Sequence, residues 1–196
     1  MGKAAAYTDA QIQKYKDGSD PDNYPNVNHM KWLLNSGSGF QQRHSLGLQG
    51  GTGALTYNLS VGYWGQEGMT AKTSNDRYNI LWNMKSNINK TLTLTTSLNA
   101  YTNTYNAPNG DPASIDGMIG YTVREAPIYA GRKSDGSFGY QDNYSPEAWL
   151  ASTSFVKNVG VNAIGSTQLQ WETPVRGLSL IGKAIVTGKQ IGRAHV

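Results

Sequence analysis

Residues 40–101 alternate between apolar and polar side chains in four successive segments. Successive side chains of a β-strand point to opposite faces, so the alternation predicts four strands, each with one apolar and one polar face. The predicted apolar positions are His44, Leu46 and Leu48, then Leu55, Tyr57, Leu59, Val61 and Tyr63, then Tyr78, Ile80, Trp82 and Met84, and finally Leu94, Leu98 and Ala100. Tight turns at residues 50–54 and 87–91 and a longer connection at 69–76 predict antiparallel hairpins with the tight turns at one end.

The same alternation returns between residues 163 and 186, around a turn at residues 173–177, and predicts a third hairpin. Its predicted apolar positions are Ala163, Thr167, Leu169 and Trp171 on one strand and Leu178, Leu180, Ala184 and Val186 on the next. The pattern fails after Val186. We therefore predict no strand in residues 187–196 and interpret them as a non-native tail. The chain is expected to contain about six strands.

The polar faces are rich in Thr, Ser, Asn, Gln and Gly rather than in Lys and Glu, which is typical of a wet, enclosed lumen. The charged residues that fall within predicted strands all lie on the polar side: Arg43, Arg77, Lys85, Glu172 and Lys183. An Arg or Lys on a lipid-facing side would cost roughly 2–4 kcal/mol. We therefore predict an all-β fold of antiparallel up-and-down strands that form part of a transmembrane β-barrel. A soluble sandwich remains the alternative, because alternation alone fits both.

The first 39 residues are predicted to form a helical and loop segment. Thr8 and Gln11 form a capping box, which predicts a short helix that begins at Asp9 and stops at Gly18. Asn28 is placed to cap a second short helix. The amino terminus lacks the apolar segment of a signal peptide, which an outer-membrane protein requires, so we expect that Met1 is not the native start.

Composition excludes several classes of protein. No run of 18 apolar residues occurs in the 196-residue chain, so a membrane-spanning helix is not expected. The absence of cysteine removes disulfides and thiol chemistry. The net charge of +4 is scattered along the chain, so nucleic acid is not an expected partner. The three His residues lack metal-ligand spacing and no nucleophile motif is present. We expect no catalytic residues, metal site, cofactor or enzymatic activity.

Residues 103–160 show no alternation and are predicted to form a long extracellular loop, with a turn cluster at residues 106–112 and a short helix at residues 115–124. A loop of this length is usually functional. Its aromatic residues are candidates for contact with a sugar or a partner protein: Tyr129, Tyr140, Tyr144 and Trp149. The alternative hypothesis is that they bury the loop against its own neighbours.

Several segments resemble the SusC/RagA family of TonB-linked outer-membrane transporters. The resemblance lies in YTDAQIQKYKDGSDPDNYPN at residues 7–26, FQQRHSLGLQGGT from Phe40, YNLSVGYWGQEGM from Tyr57 and SNDRYN from Ser74. It continues through SDGSFG at residues 134–139 and SPEA from Ser145. One departure is His29, where the family pattern leads us to expect Trp, and we expect Trp32 to compensate.

The resemblance implies that residues 40–186 are the first part of a barrel wall that follows a plug domain, in a barrel of about 22 strands. It implies a location in the cell outer membrane and contact with its lipid. The implied partners are a SusD-like surface lipoprotein and TonB, the latter through an amino-terminal part outside this sequence. The implied ligand is an oligosaccharide or a peptide. The function is thus TonB-dependent nutrient import, and the alternative is a soluble all-β carbohydrate-binding module.

Overall fold

The computed structural model describes residues 6–108 and 114–195, which form one antiparallel sheet and four short helices. Each strand pairs with its neighbours in the chain, in the order β1 to β6, and the described residues do not close the sheet. The strands are β1 (Gln41–Gly51), β2 (Leu55–Glu67), β3 (Ser74–Asn87), β4 (Leu92–Pro108), β5 (Phe155–Glu172) and β6 (Ser179–His195). The helices are α1 (Asp9–Asp17), α2 (His29–Leu34), α3 (Ile115–Arg124) and α4 (Pro146–Ala151). The predicted all-β, up-and-down fold is confirmed.

The register places the predicted apolar positions of all six strands on one face of the sheet, except Leu178, which lies in the turn before β6. Val61 pairs with both Leu46 and Ile80, and Ile80 pairs in turn with Ala100. The row continues from Ala100 to Ala163 on β5. Because side chains of directly paired residues lie on the same side, the apolar face predicted separately for each strand is continuous across the sheet. This face is hereafter called the apolar face, and the opposite one the polar face.

The loop predicted at residues 103–160 extends beyond the observed connection between β4 and β5 at both ends. β4 continues to Pro108 and β5 begins at Phe155, and these two residues pair with each other. The reason is that residues 102–106 are polar on both faces, so no alternation marks the strand, although the backbone pairing continues. The connection between β4 and β5 is therefore residues 109–154. Of the predicted turn cluster at residues 106–112, residues 106–108 belong to β4 and residues 109–113 lie outside the described residues.

The prediction that no strand follows Val186 is also wrong. β6 continues to His195 and pairs with β5 along its whole length, for example at Gln190 and Val161. Residues 187–193 mix Gly, Lys, Gln and Arg with few apolar side chains, so the periodicity is lost while the backbone hydrogen bonds persist.

The five charged residues predicted on the polar side all lie on the polar face. The longer strands add three charged residues to the apolar face, Glu67, Asp76 and Lys157, all close to the end of the sheet that carries the long connections. The Tyr63 hydroxyl donates a hydrogen bond to Asp76 Oδ1 at 2.8 Å. Charge is thus absent from the middle of the apolar face among the described residues.

The two ends of the sheet differ, as predicted. The turns at residues 52–54, 88–91 and 173–178 lie at one end, called the turn end. The connections at residues 68–73 and 109–154 lie at the other end. There, residues 6–39, 68–73 and 114–154 pack together into a structure that is called the cap.

The packed hydrophobic core lies in the cap and not on the sheet. Leu33 of α2, Met118 of α3 and Leu150 of α4 are buried against one another, with Trp32 and Trp149 packed around them. On the apolar face, by contrast, Leu46 is 60% exposed and Val186 is 73% exposed. A sandwich buries such a face under a second sheet, and the described residues form a single sheet. Within them, no helix has both the length and the apolar character needed to cross a membrane.

The cap helices begin at side-chain caps that the sequence largely reveals. Thr8 and Gln11 form the predicted capping box, and α1 ends at Gly18, which adopts a left-handed conformation with φ of 65°. The Asn28 side chain accepts a hydrogen bond from the Lys31 N–H at 2.8 Å. The helix predicted at residues 115–124 is confirmed as α3, whereas α4, capped by Ser145, was not predicted.

Candidate functional site

Hydrogen bonds between distant segments fix the parts of the cap relative to one another. The Val27 N–H donates to the Pro127 carbonyl at 2.9 Å. The Ser134 N–H donates to Asp22 Oδ1 at 2.9 Å, and the bonds from Ser134 hold the pKa of Asp22 below its usual range. The amino-terminal segment is therefore tied to the long connection, and the surface between them has a defined shape.

The cap brings together two of the four predicted contact residues. The rings of Tyr144 and Trp149 meet Tyr121, with centroid distances of 4.8 Å and 5.2 Å respectively. This cluster packs the long connection against itself, in agreement with the alternative hypothesis for these two residues. Tyr140 is 52% exposed and Tyr129 is half-buried, and neither belongs to the cluster. Tyr140 is thus the predicted residue that is most available to a partner.

A buried pair of ionisable side chains lies beneath the cap surface. His29 Nδ1 is 3.3 Å from Glu125 Oε2, and both residues are more than nine-tenths buried. The carbonyls of Ala126 and Tyr129 lie near the His29 ring without forming well-aligned hydrogen bonds. The Thr122 hydroxyl is buried without a hydrogen-bond partner in the described residues. The pair therefore occupies an environment with few compensating hydrogen bonds.

Burial controls the protonation of this pair. Burial raises the pKa of Glu125 to about 7, and the nearby Glu147 carboxylate adds to the rise. Burial lowers the pKa of His29. Both shifts favour the neutral forms, because an ion loses its hydration when it is buried. Near neutral pH the Glu125 carboxyl is thus close to the midpoint of its titration, with its pKa at about 7.

An open groove of about 600 Å³ separates the amino-terminal segment from the long connection. Tyr15, Tyr24 and Trp32 contribute aromatic walls, and Glu147 and Arg132 contribute charged groups. Tyr15 and Tyr24 meet edge to face, with centroids 5.2 Å apart. The groove thus combines large rings with charge, which is a composition that can hold a small ligand or a peptide side chain.

A second depression, of about 590 Å³, lies on the polar face. It is lined by Arg43, Trp64 and Arg77, which the register places in one row across three strands, together with several Asn side chains. The Arg77 guanidinium lies 4.2 Å from the centroid of the Tyr101 ring. At this depression, the polar face therefore presents hydrogen-bonding groups and positive charge beside the Trp64 ring.

Nothing in the described part of the chain forms a metal centre, since no group of three or more His, Asp, Glu or Cys side chains has the required arrangement. The described surface of the cap offers aromatic rings, hydrogen-bonding groups and charge.

Together these features define a class of structure: an open sheet of up-and-down strands with one apolar and one polar face, capped at one end by its own connections. No family model matches the chain, and no curated protein matches it significantly.

Solved structures of the RagAB peptide importer share the fold. A chain of this importer in its closed-closed state superposes with a TM-score of 0.63 at 19% identity, over 92% of this chain and 21% of that one. A structure of the RagAB peptide transporter gives a TM-score of 0.62 at 17% identity, over 95% of this chain and 23% of that one. This chain thus spans about a fifth of the length of these neighbours. They support the SusC/RagA resemblance at the level of the fold.

Sequence reasoning missed several residues of the cap. Tyr121, Tyr15 and Tyr24 were not singled out, because aromatic residues in short polar segments have no distinguishing pattern. The pairing of His29 with Glu125 joins the amino-terminal segment to the long connection, and a single sequence gives no indication of such a contact. The one sequence feature that draws attention to this pair is His29, which stands where the family pattern leads us to expect Trp. That departure suggests a change in local packing and does not indicate a buried pair with Glu125.

Proposed function

We propose that this chain forms part of the wall and the outer surface of an outer-membrane nutrient importer of the SusC/RagA type. In this proposal the apolar face contacts lipid, the polar face lines the lumen, and the cap faces the outside of the cell. The imported ligand is an oligosaccharide or a peptide. A SusD-like lipoprotein docks on the cap, and TonB supplies energy through another part of the parent protein. The chain itself carries out no catalytic step.

The observation that carries the proposal is the continuous apolar face with no covering layer among the described residues. An uncovered apolar surface of this size is not expected on a protein surrounded by water. Hydrocarbon is a natural environment for it, since closed sheets are one of the two structures that satisfy backbone hydrogen bonds in lipid. The polar face and the RagAB fold likeness support the same interpretation.

The ends of the sheet support an orientation. Outer-membrane barrels have short periplasmic turns and longer extracellular loops. The turn end would then face the periplasm and the cap the exterior. The edges of β1 and β6, which are unpaired within the described residues, would pair with further strands of the parent, because long open edges lead to aggregation.

A pair of adjacent substitutions tests the assignment of the two faces. Leu59 lies on the apolar face near mid-strand, and Ser60 is its neighbour on the polar face. In the full-length parent, Leu59→Arg should impair assembly, because an Arg facing lipid costs roughly 2–4 kcal/mol. Ser60→Arg should be tolerated in a wet lumen. The fraction of folded barrel in the outer membrane, measured by its heat-modifiable migration on gels, compares them. Equal yields for the two variants would contradict the proposal.

The docking role of the cap requires a test that leaves its packing intact. Deletion of residues 135–144 would remove Tyr144 from the aromatic cluster and the hydrogen bond from the Ala126 N–H to Gln141 Oε1 at 2.7 Å. Tyr140→Ala is a better test, because that side chain is 52% exposed. We expect weaker co-purification of the lipoprotein with normal barrel assembly. Val123→Ala, also exposed on the cap, serves as the control, and equal retention of the lipoprotein by both variants would argue against a role for Tyr140.

A further inference from the structure

Glu147 is a buried carboxylate on the wall of the cap groove. It is 8% exposed and lines the groove between the amino-terminal segment and the long connection. It forms no ion pair within the described residues. Burial disfavours the charged form of a carboxylate and raises the pKa of Glu147, and a group of opposite charge in the groove would offset that cost.

The position of this carboxylate is set by Gly131. A Cβ atom at position 131 would overlap Glu147 Oε1, so the carboxylate lies directly against the backbone there. Gly131 also lines the groove. The contact fixes the Glu147 carboxylate at the groove wall, and it leaves no room for a side chain at position 131.

The cations around the groove contact other groups or are exposed, and Arg132 is close enough to lower the pKa of Glu147 without forming an ion pair with it. Arg132 Nε donates to the Gly136 carbonyl at 3.2 Å, and its guanidinium lies 5.2 Å from the centroid of the Phe138 ring. Lys16 is exposed. Within the described part of the cap, Glu147 therefore has a cation nearby but no direct ion pair.

The aromatic walls suit a positively charged group. Cations are attracted to the faces of Trp and Tyr rings by the negative charge on the ring face. The cap already contains one example, because Lys14 Nζ lies 4.7 Å from the centroid of the Tyr24 ring. Trp32 and Tyr15 line the same groove, and its volume of about 600 Å³ accommodates a side chain of the size of arginine.

We propose that the groove binds an organic cation, a guanidinium or a primary ammonium group on a flexible chain, with Glu147 as its counter-ion and Tyr15, Tyr24 and Trp32 as its walls. The proposal does not depend on the transport function, since it concerns equilibrium binding to the cap alone. The cation can come from a free amine or from a peptide side chain, and the experiment below distinguishes these sources.

Isothermal titration of the full-length parent protein in detergent provides the primary test. Arginine amide is compared with citrulline amide, which has nearly the same shape but a neutral urea group. We expect arginine amide to bind at least about tenfold more tightly, because the charge-assisted contact is lost in citrulline. Equal binding of the two, or binding of neither, would overturn the proposal. This comparison requires no variant, so it does not depend on how a mutant folds.

Variants then locate the site. Glu147→Gln keeps the shape of the side chain and should weaken arginine amide binding by about tenfold or more. The matched control is Glu125→Gln, a buried carboxylate in the same cap that does not line the groove, and it should retain the affinity within about threefold. Tyr24→Leu removes an aromatic wall and should weaken binding several-fold, whereas Tyr140→Leu, at an exposed tyrosine of the cap outside the groove, should not. Equal effects in the two members of each pair would place the binding elsewhere and contradict the proposal.

The source of the cation is tested with a short peptide that has blocked termini and one central Arg. Binding of this peptide at least as tight as that of arginine amide identifies a peptide side chain as the ligand. Binding of arginine amide alone identifies a free amine, which supports the same site with a smaller ligand. The corresponding citrulline peptide is the control in both cases, and it should bind poorly.

Discussion

The cap and the sheet are stabilised in different ways. In the cap, Leu33 and Met118 are completely buried and three helices pack around them. In the sheet, strands are held by backbone pairing, while side chains such as Leu46 remain 60% exposed. The cap thus contains its own hydrophobic core, whereas the stability of the sheet depends on what covers its two faces.

Their polar groups differ as well. Side chains on the sheet form hydrogen bonds between strands, such as that between the Ser97 and Ser166 hydroxyls at 2.7 Å. The cap instead buries His29, Thr122 and Glu125 without well-formed hydrogen bonds in the described residues, whereas the described part of the sheet has one such atom, Asn75 Oδ1, at its cap end. Burial of polar groups in this state makes them sensitive to pH and to substitution. The cap is therefore expected to respond to conditions that leave the sheet unchanged.

The largest expected difference between the two regions comes from the cap core. Leu33→Ala should destabilise the cap by about 2–5 kcal/mol, because it removes a fully buried side chain and leaves a cavity. Hydrogen exchange measured by mass spectrometry should show faster exchange in α2, α3 and α4, with unchanged protection in the strands.

Leu46→Ala on β1 is the matched control, since it shortens the same type of side chain on the apolar face. It should leave exchange in the cap unchanged. If Leu33→Ala accelerated exchange in the strands as much as in the cap, the two regions would form a single cooperative unit and the comparison would fail.

The pH response of the cap gives the next largest effect. The Glu125 pKa is raised from 4.5 to about 7, so its contribution to stability is complete below pH 4.5 and is lost as pH rises through about 7. The lowered pKa of His29 acts in the opposite sense, and its contribution is present above pH 6.5 and is lost as pH falls. The cap should therefore lose protection as pH rises above 6.5, where the His29 contribution no longer changes and the Glu125 contribution is being lost.

Glu125→Gln isolates this effect. In this variant, the protection of α2 and α3 against hydrogen exchange, corrected for the intrinsic exchange rate, should decline much less above pH 6.5 than it does in the unsubstituted protein. Glu147, whose pKa burial also raises, remains in the variant and supplies a smaller residual slope. An unchanged pH profile in the variant would show that Glu125 does not titrate in this range.

The smallest expected effect concerns the start of α2. Asn28→Ala removes the side-chain acceptor for the Lys31 N–H and should destabilise the helix by about 1 kcal/mol. Asn28→Ser keeps an acceptor and should retain most of the stability. Exchange at the amides of α2 measures both variants, and equal exchange in the two would indicate that the cap packing, and not the N-cap, holds the helix.

The sheet could be predicted from the sequence because its side chains obey a local rule. Val61 and Ile80 were assigned to one face from alternation alone, and the register pairs them directly. The rule stops where both faces are polar. Thr104 and Asn106 belong to β4 although nothing in their hydropathy distinguishes them from a loop, because backbone hydrogen bonds do not require an apolar side chain.

The cap was only partly predictable. Its helix starts follow local rules, and Thr8 and Asn28 were recognised as caps. The core formed by Leu33, Met118 and Leu150 joins three segments that are far apart in the chain, and no local pattern links them. The same holds for the candidate site. Tyr144 and Trp149 are predicted as contact residues because they are aromatic residues of the loop, but no local pattern identifies Tyr121, whose ring packs against both of them.

The arrangement of the cap also determines when it can form. The chain between Leu33 of α2 and Met118 of α3 consists of β1 to β4 and their connections. Hairpins between neighbouring strands close short loops, whereas contact between these two residues must close a much longer one at greater entropic cost. We therefore expect the cap to fold late, after the strands between its segments have paired. During refolding, the amides of α2 would then become protected from hydrogen exchange only after β1 to β4 have paired. The time at which they become protected would mark the completion of this four-strand segment.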